Sequence, residues 1–263
     1  MIIPALSDHA VNDSVRGNLV DINDLPMLDL TLGADEIHLW HAALDAHPVQ
    51  HLEHFLSEDE LIRAHRFHFL KDRNHFTVAR GLLRKLLSTY LRMEPNQLLL
   101  SYGQMGKPFL ADSHANRVSF NLAHSGGLAI FAFSQTRELG VDLEFIREEL
   151  ADEGIAERFF SRREIGELQA VPVELRRQAF FNCWTRKEAY IKARGEGLSM
   201  PLDAFDVSLA PGEPAALLRN HLDETDVARW EMRSIPVAAG YVAALVVEGH
   251  DWKLKTLSLE GTA

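Results

Sequence analysis

A single cysteine, Cys183, occurs in the 263 residues, so no intrachain disulfide can form and a Cys-rich metal site is excluded. Long apolar runs are missing too. The longest weakly polar stretch, Val237 to Val247, is about half of what a bilayer span needs. Met1 to Asp13 has no basic segment and carries Asp8 and Asp13, which argues against a secretory signal. Positive charge is in short supply. The chain has 27 Lys and Arg against 38 Asp and Glu, a formal net charge of −11, and such an excess repels phosphate backbones. Neither a P-loop nor a Gly-x-Gly-x-x-Gly loop is present. What remains is ordinary globular composition, 46% hydrophobic and 25% charged. A soluble, cytoplasmic protein is expected, with no membrane and no nucleic-acid partner.

The charge is unevenly spread. Between Leu61 and Arg92 lie Arg63, Arg66, Lys71, Arg73, Arg80, Arg84, Lys85 and Arg92 against one acid, Asp72. Such a stretch is either a solvated helix face or a local site for a small phosphorylated ligand. The first 35 residues are rich in Asp and Asn with weak periodicity, and are expected to be an irregular extension packed through Leu25, Leu28 and Leu30. Ile37 to His41 alternates as a strand. Ser57-x-x-Glu60 has capping-box spacing and opens a helix to about Phe67; a second is predicted from Asp72 to Leu91. Short strands follow at Gln97–Tyr102, Val118–Leu122, Leu128–Ser134 and Gly140–Ile146. Ser161-x-x-Glu164 repeats the capping box, and a long helix is predicted from Val173 to Ala193, stopped by Gly195 and Gly197. Strands are expected again around 205–209, 228–234, 240–246 and 252–259.

The two capping boxes each follow paired apolar residues, Phe55-Leu56 and Phe159-Phe160, and each precedes a longer helix. Either an α/β subdomain is duplicated, or a common motif occurs twice. Duplication would place a ligand cleft between the halves.

Asp142-Leu143-Glu144 sets two carboxylates on one face of a strand, with Val141, Leu143 and Phe145 toward the core. The pair is either the polar face of an edge strand or an oxygen-ligand site for a divalent cation. In the helix Phe181 to Lys192, the residues Trp184, Glu188 and Lys192 recur at four-residue spacing. They are either an aromatic anchor with an ordinary Glu–Lys pair, or a third metal oxygen with a phosphate-facing lysine. His124 lies past the end of a strand, at the edge of a turn, where a histidine is either packing or catalytic. Eight of the thirteen histidines fall between His38 and His75; none completes a zinc set, and they are read as surface residues.

Taken in order, Gly106-Lys107-Pro108, Asn121-Leu122-Ala123-His124-Ser125, Gly140-Val141-Asp142-Leu143-Glu144 and Trp184-x-x-Lys187-Glu188-x-x-x-Lys192-x-x-Gly195-x-Gly197-Leu198 closely resemble the Sfp-type 4′-phosphopantetheinyl transferase superfamily. The resemblance runs from about residue 37 to 247. It implies an α/β (α+β) pseudo-dimer of two similar subdomains with the active site in the cleft between them, here the segments 36–120 and 121–263 behind the 1–35 extension. It also implies an enzyme that moves the 4′-phosphopantetheine arm of coenzyme A to a serine of an apo carrier protein, leaving adenosine 3′,5′-bisphosphate. Carriers of fatty-acid, polyketide or nonribosomal-peptide synthases are the implied partners. By the same resemblance, Asp142, Glu144 and Glu188 hold Mg²⁺, Glu188 doubles as base, and Asp142, Glu188 and Lys192 are the catalytic residues. Coenzyme A is assigned to Arg63, Arg80, Lys107, Pro108, His124, Ser125, Lys187 and Lys192.

One position departs from the family. Ala123 stands where the usual block has Ser, which removes a hydroxyl donor for the 3′-phosphate, a loss of about 1–2 kcal/mol if unreplaced; Ser125 or a nearby Arg is the expected substitute. Charge places carrier docking on a local patch, with Arg158, Arg162 and Arg163 as candidates. An internal duplication makes a monomer sufficient. The competing classes are a non-catalytic coenzyme A or carrier-binding member of the fold, and a metal-dependent nuclease, which the net charge opposes.

Overall fold

A computed structural model describes residues 18–103, 106–111, 118–147, 153–195 and 200–261. Met1 to Asp13 and the Gly197-Leu198 end of the last motif lie outside them. In chain order the elements are β1 (Asn18–Asp21), β2 (Glu36–Ala43), α1 (Glu58–His65), α2 (Leu70–Leu91), β3 (Leu100–Tyr102), β4 (Pro108–Leu110), β5 (Ser119–Ser125), β6 (Leu128–Ser134) and β7 (Leu139–Phe145). They continue as α3 (Glu153–Phe159), α4 (Arg162–Ala170), α5 (Val173–Arg194), β8 (Phe205–Val207), β9 (Leu217–Asn220), α6 (Asp226–Arg229), β10 (Trp230–Ser234), β11 (Tyr241–Glu248) and β12 (Lys253–Glu260). One sheet has the order β1-β12-β2-β6-β5, a second β10-β11-β7, and two short ribbons pair β3 with β4 and β8 with β9.

Helix α2 covers one face of the larger sheet, burying Leu82, Leu83, Leu86 and Leu87 against Trp40, Phe131 and Phe133. Helix α5 covers the smaller sheet through Phe181, Tyr190 and Ile191 against Trp230 and Val246. The remaining sheet faces meet in a third core of Leu39, Ile130, Val141, Leu143 and Leu245. Four layers result, helix–sheet–sheet–helix, and strands with both faces covered lose the clean alternation of a half-exposed strand.

The repeated capping boxes have a common design. Ser57 N–H donates to Glu60 Oε2 at 3.0 Å, and Ser161 N–H to Glu164 Oε2 at 2.8 Å. Both glutamates are fully buried, and each pairs with a cation on the long helix that follows: Glu60 with Arg84 at 2.6 Å, Glu164 with Lys187 at 2.8 Å. Each carboxylate therefore caps one helix and neutralises a buried cation on the next, so removing it leaves both tasks undone.

Four expectations change. The first 35 residues are not wholly irregular, because Asn18–Asp21 pairs parallel to β12, while Leu25 and Leu32 are buried as packing residues. The division at residue 120 falls inside β5, and β12 returns from the C-terminus to sit between β1 and β2. The histidines are not all on the surface: His38, His47 and His75 are buried, because β2 is covered on both sides and α2 packs close to it. His38 Nδ1 shares a 2.8 Å hydrogen bond with Tyr90 Oη. His41 Nε2 and both ring nitrogens of His47 are buried without a partner. Phe145, expected in the core, is half-buried against Tyr241.

Gly140 makes the closest helix–sheet approach. A Cβ there would lie 2.2 Å from Ala189 O and 2.3 Å from Ala193 N. Gly140→Ala is expected to cost about 3 kcal/mol or more, since backbone on both sides must move; a denaturant titration checks this. Burial also lowers the pKa of His41, to about 4, and that of His47. The unfolded chain takes these protons more readily than the native one, so stability is full above about pH 6.5 and falls as pH drops toward 4. Denaturant midpoints across that range should show the loss, and His41→Leu should reduce it.

Candidate active site

Strand β7 presents Asp142 and Glu144 on one face, and the Gly140 contact lays α5 beside it. Lys192 is thereby set against Asp142, with Nζ 2.6 Å from Oδ1. Asp142 is 5% exposed, and its Oδ2 is buried with no hydrogen-bond partner. Two side chains of β5 fasten that strand to β7 where no strand ladder joins them. Asn121 Oδ1 accepts from Val141 N–H at 2.9 Å, and Ser125 Oγ accepts from Phe145 N–H at 3.1 Å. The Ser125 hydroxyl then donates to Glu144 Oε2 at 3.0 Å.

The acids repel one another. Burial, then the charge of Asp142, push Glu188 up to about 7, with Glu144 adding and Lys192 opposing. Glu144 is raised by burial and Asp142, against the Ser125 hydrogen bond and the cations Arg147 and Lys192. Burial works against the Lys192 ammonium, but the carboxylates, Asp142 foremost, more than offset it and raise its pKa. Oxygen-only donors, mutual repulsion and an orphaned carboxylate oxygen suit a hard divalent cation. Among the described residues, however, no three acids or histidines are already arranged around one point.

Glu188 and Lys192 form one wall of a cavity of about 380 Å³, a usual size for a small-molecule site. The N-terminal half supplies the other wall: Arg63, Phe76, Arg80, Lys107, Pro108 and, from β5, His124. The guanidinium carbons of Arg63 and Arg80 each lie 5.5 Å from the Phe76 ring centre, and 5.9 and 5.7 Å from that of Tyr102. Glu60 holds Arg80 from behind at 3.5 Å. Arg80 Nε and one Nη are buried without hydrogen-bond partners, and burial depresses its pKa. His124 is exposed at the cavity rim; partial desolvation there, then the charges of His75, Lys192 and Arg80, lower its pKa to about 4.

Several expected contacts lie elsewhere. Lys187, expected at coenzyme A, is fully buried on another side of α5, where it bonds Glu164, Leu202 O at 2.7 Å and Phe205 O at 2.6 Å. Five residues before Lys192, it points some 140° away around the helix. Ser125, likewise expected at the ligand, is used on Glu144 and the Phe145 amide, so it does not replace a hydroxyl at 123. Ala123 itself lies in the core between the sheets, whereas its neighbour His124 lines the cavity. Lys107 borders the cavity, but its ammonium donates to Lys192 O at 2.6 Å, tying the β3–β4 turn to α5. Trp184 packs on Phe159 and Phe180. The aromatic support from Phe76 and Tyr102, the Glu60 anchor and the Asn121 bridge carried no separate signal in the sequence.

The two walls fall in two segments of the chain that match known families separately. Residues 138–246 match the 4′-phosphopantetheinyl transferase superfamily, and residues 40–136 match the 4′-phosphopantetheinyl transferase N-terminal family. The chain is 42% identical to the 4′-phosphopantetheinyl transferase HetI of Nostoc sp., over 86% of this chain and 94% of that one. It is 32% identical to the 4′-phosphopantetheinyl transferase Sfp of Bacillus subtilis, over 59% of this chain and 67% of that one. The chain belongs to the 4′-phosphopantetheinyl transferase superfamily. No helix among the described residues is long and apolar enough to cross a membrane.

Ser125→Ala should strand the Phe145 amide and one Glu144 oxygen, at a cost of about 1–2 kcal/mol. It should also raise the Glu144 pKa further, because the lost hydroxyl favours the carboxylate. Denaturation and an NMR titration of the Glu144 carboxyl carbon measure the two effects.

Proposed function

We propose that this chain transfers the 4′-phosphopantetheine arm of coenzyme A to a serine of an apo carrier protein, and that it depends on Mg²⁺ to do so. The observation that carries this is the polarity of one cavity: Glu188 of α5, within the field of Asp142 and Glu144 on β7, faces the paired guanidiniums of Arg63 and Arg80 on the α1–α2 side. Arg63 and Arg80 would take the 3′-phosphate end of the nucleotide, Arg80 through its terminal nitrogens, since its Nε is turned to Glu60. His124, Lys107 and Pro108 would border the nucleotide. Asp142, Glu144 and Glu188 would hold the cation. Bound there, Mg²⁺ supplies positive charge that polarises the pyrophosphate and offsets the repulsion among the acids.

The reaction forms a bond from the carrier serine oxygen to the β-phosphorus of coenzyme A and breaks that phosphorus's bond to the bridging oxygen. Adenosine 3′,5′-bisphosphate leaves. Glu188 is placed to accept the serine proton, a role worth about 10²–10⁴-fold in rate. The Lys192 ammonium would stabilise charge on the departing phosphate. One chain supplies both walls, so a monomer suffices, and a cytoplasmic carrier of fatty-acid, polyketide or nonribosomal-peptide synthesis is the proposed partner.

Incubation with Mg²⁺, coenzyme A and a panel of apo carriers should add one phosphopantetheine mass to at least one of them, and Asp142→Ala should abolish the gain. Tight coenzyme A binding with no gain on any carrier would instead indicate a non-catalytic binding protein. Arg158, Arg162 and Arg163 are exposed at α3 and the start of α4, where they can meet an acidic carrier. Charge reversal at each should raise KM for the carrier and leave coenzyme A affinity unchanged; an unchanged KM in all three variants would place docking elsewhere.

A further inference from the structure

The contact between Lys192 and Asp142 does more than stabilise the helix. Lys192 lines the cavity and its side chain is 29% exposed, whereas Asp142 does not reach the cavity wall and its side chain is 7% exposed. The lysine side chain therefore lies nearer the cavity than the carboxylate it binds. It is bound at 2.6 Å to one carboxylate oxygen, while the other is buried with no partner. Among the described residues no three acids converge on a point, as expected when an ammonium already sits beside the central one. The helix turn beneath it is pinned, because Lys107 donates to Lys192 O at 2.6 Å. Motion is thus left to the lysine side chain, a four-carbon stem with a rotatable head.

We propose that Lys192 is an internal counter-ion that plugs the acidic site in the ligand-free protein and moves to the coenzyme A pyrophosphate when the nucleotide binds. The proposal rests on Asp142 being a cation ligand, as proposed above. Without nucleotide, an incoming divalent ion must displace the ammonium from Asp142 and compete with it for Glu188 and Glu144, the other acids in its field. With nucleotide, the pyrophosphate offers the ammonium a new partner and releases Asp142. Cation and coenzyme A binding are then coupled through one side chain, and the coupling is reciprocal.

The test is Mn²⁺ binding to the purified full chain, read from the EPR signal of the free ion and corrected for Mn²⁺ held by free coenzyme A. Without coenzyme A, Lys192→Met should bind Mn²⁺ about tenfold more tightly than the parent protein, within the usual span of coupling effects. The same variant should bind coenzyme A more weakly in the absence of metal, whereas general structural damage would weaken both ligands. Arg147→Met removes an exposed cation whose field also reaches Glu144, and it should change Mn²⁺ affinity by no more than about twofold on screening grounds. Lys192→Gln, measured alongside, serves if the Met variant does not fold. Equal or weaker Mn²⁺ binding by the Lys192 variants, or tightening no greater than that of Arg147→Met, would overturn the proposal. Undiminished Mn²⁺ binding by Asp142→Ala would instead overturn the assignment of the cation site itself.

Discussion

The site depends on how closely α5 lies against β7. Gly140 has no side chain, and the backbone at Ala189 and Ala193 fills the space that a Cβ would need. That contact fixes which helix residues meet the strand's acids. Residues one turn apart on α5, Glu188 and Lys192, come over Asp142, which lies two residues beyond the glycine and so on the same face of the strand. A wider helix–strand spacing would separate the ammonium from the carboxylate and leave the buried Asp142 without its ion-pair partner. Asn121 and Ser125 reinforce the same geometry from the opposite side by binding β5 to β7 through side chains.

The chemistry of the cavity follows from its assembly from two halves of similar design. Each half buries a capping glutamate that binds a cation on its long helix. In the N-terminal half, Glu60 also supports Arg80, which lines the cavity. In the C-terminal half, Glu164 holds Lys187 inside, and the helix instead presents Glu188 and Lys192 to the cavity. One repeated scaffold thus gives a cationic wall on one side and, on the other, a wall where Glu188 and Lys192 stand in front of the β7 acids, an arrangement that suits a ligand with two separated anionic groups and a bound cation.

Much of this was legible in the sequence. Both capping boxes, the long helices and the strand carrying Asp142 follow from spacing alone, because their patterns extend over several turns or alternations. By contrast, β5 runs on through His124 to Ser125, past the expected end at Leu122. The short strands β1, β4 and β9 have only three or four residues each, too few to show alternation, and their pairing is decided by distant partners. Lys187 is the instructive case. Its place beside Glu188 in the motif suggests a ligand contact, but its direction is set by helix phase, and its buried partner Glu164 lies on another helix. The histidines of β2 mislead in the same way, since burial of both strand faces is a property of the four-layer assembly. The family resemblance carried the assignments that spacing left open, and the structure then separates cavity residues from those that support them.

If the acidic and basic walls orient coenzyme A as the site implies, a paramagnetic ion held by the acids must lie nearer the pyrophosphate than the 3′-phosphate. Phosphorus NMR of coenzyme A bound to the protein with substoichiometric Mn²⁺ measures this directly. The account predicts strong broadening of the two pyrophosphate resonances, weaker broadening of the 3′-phosphate, and loss of that difference in Asp142→Ala. Equal broadening of all three resonances, or stronger broadening of the 3′-phosphate, would contradict it.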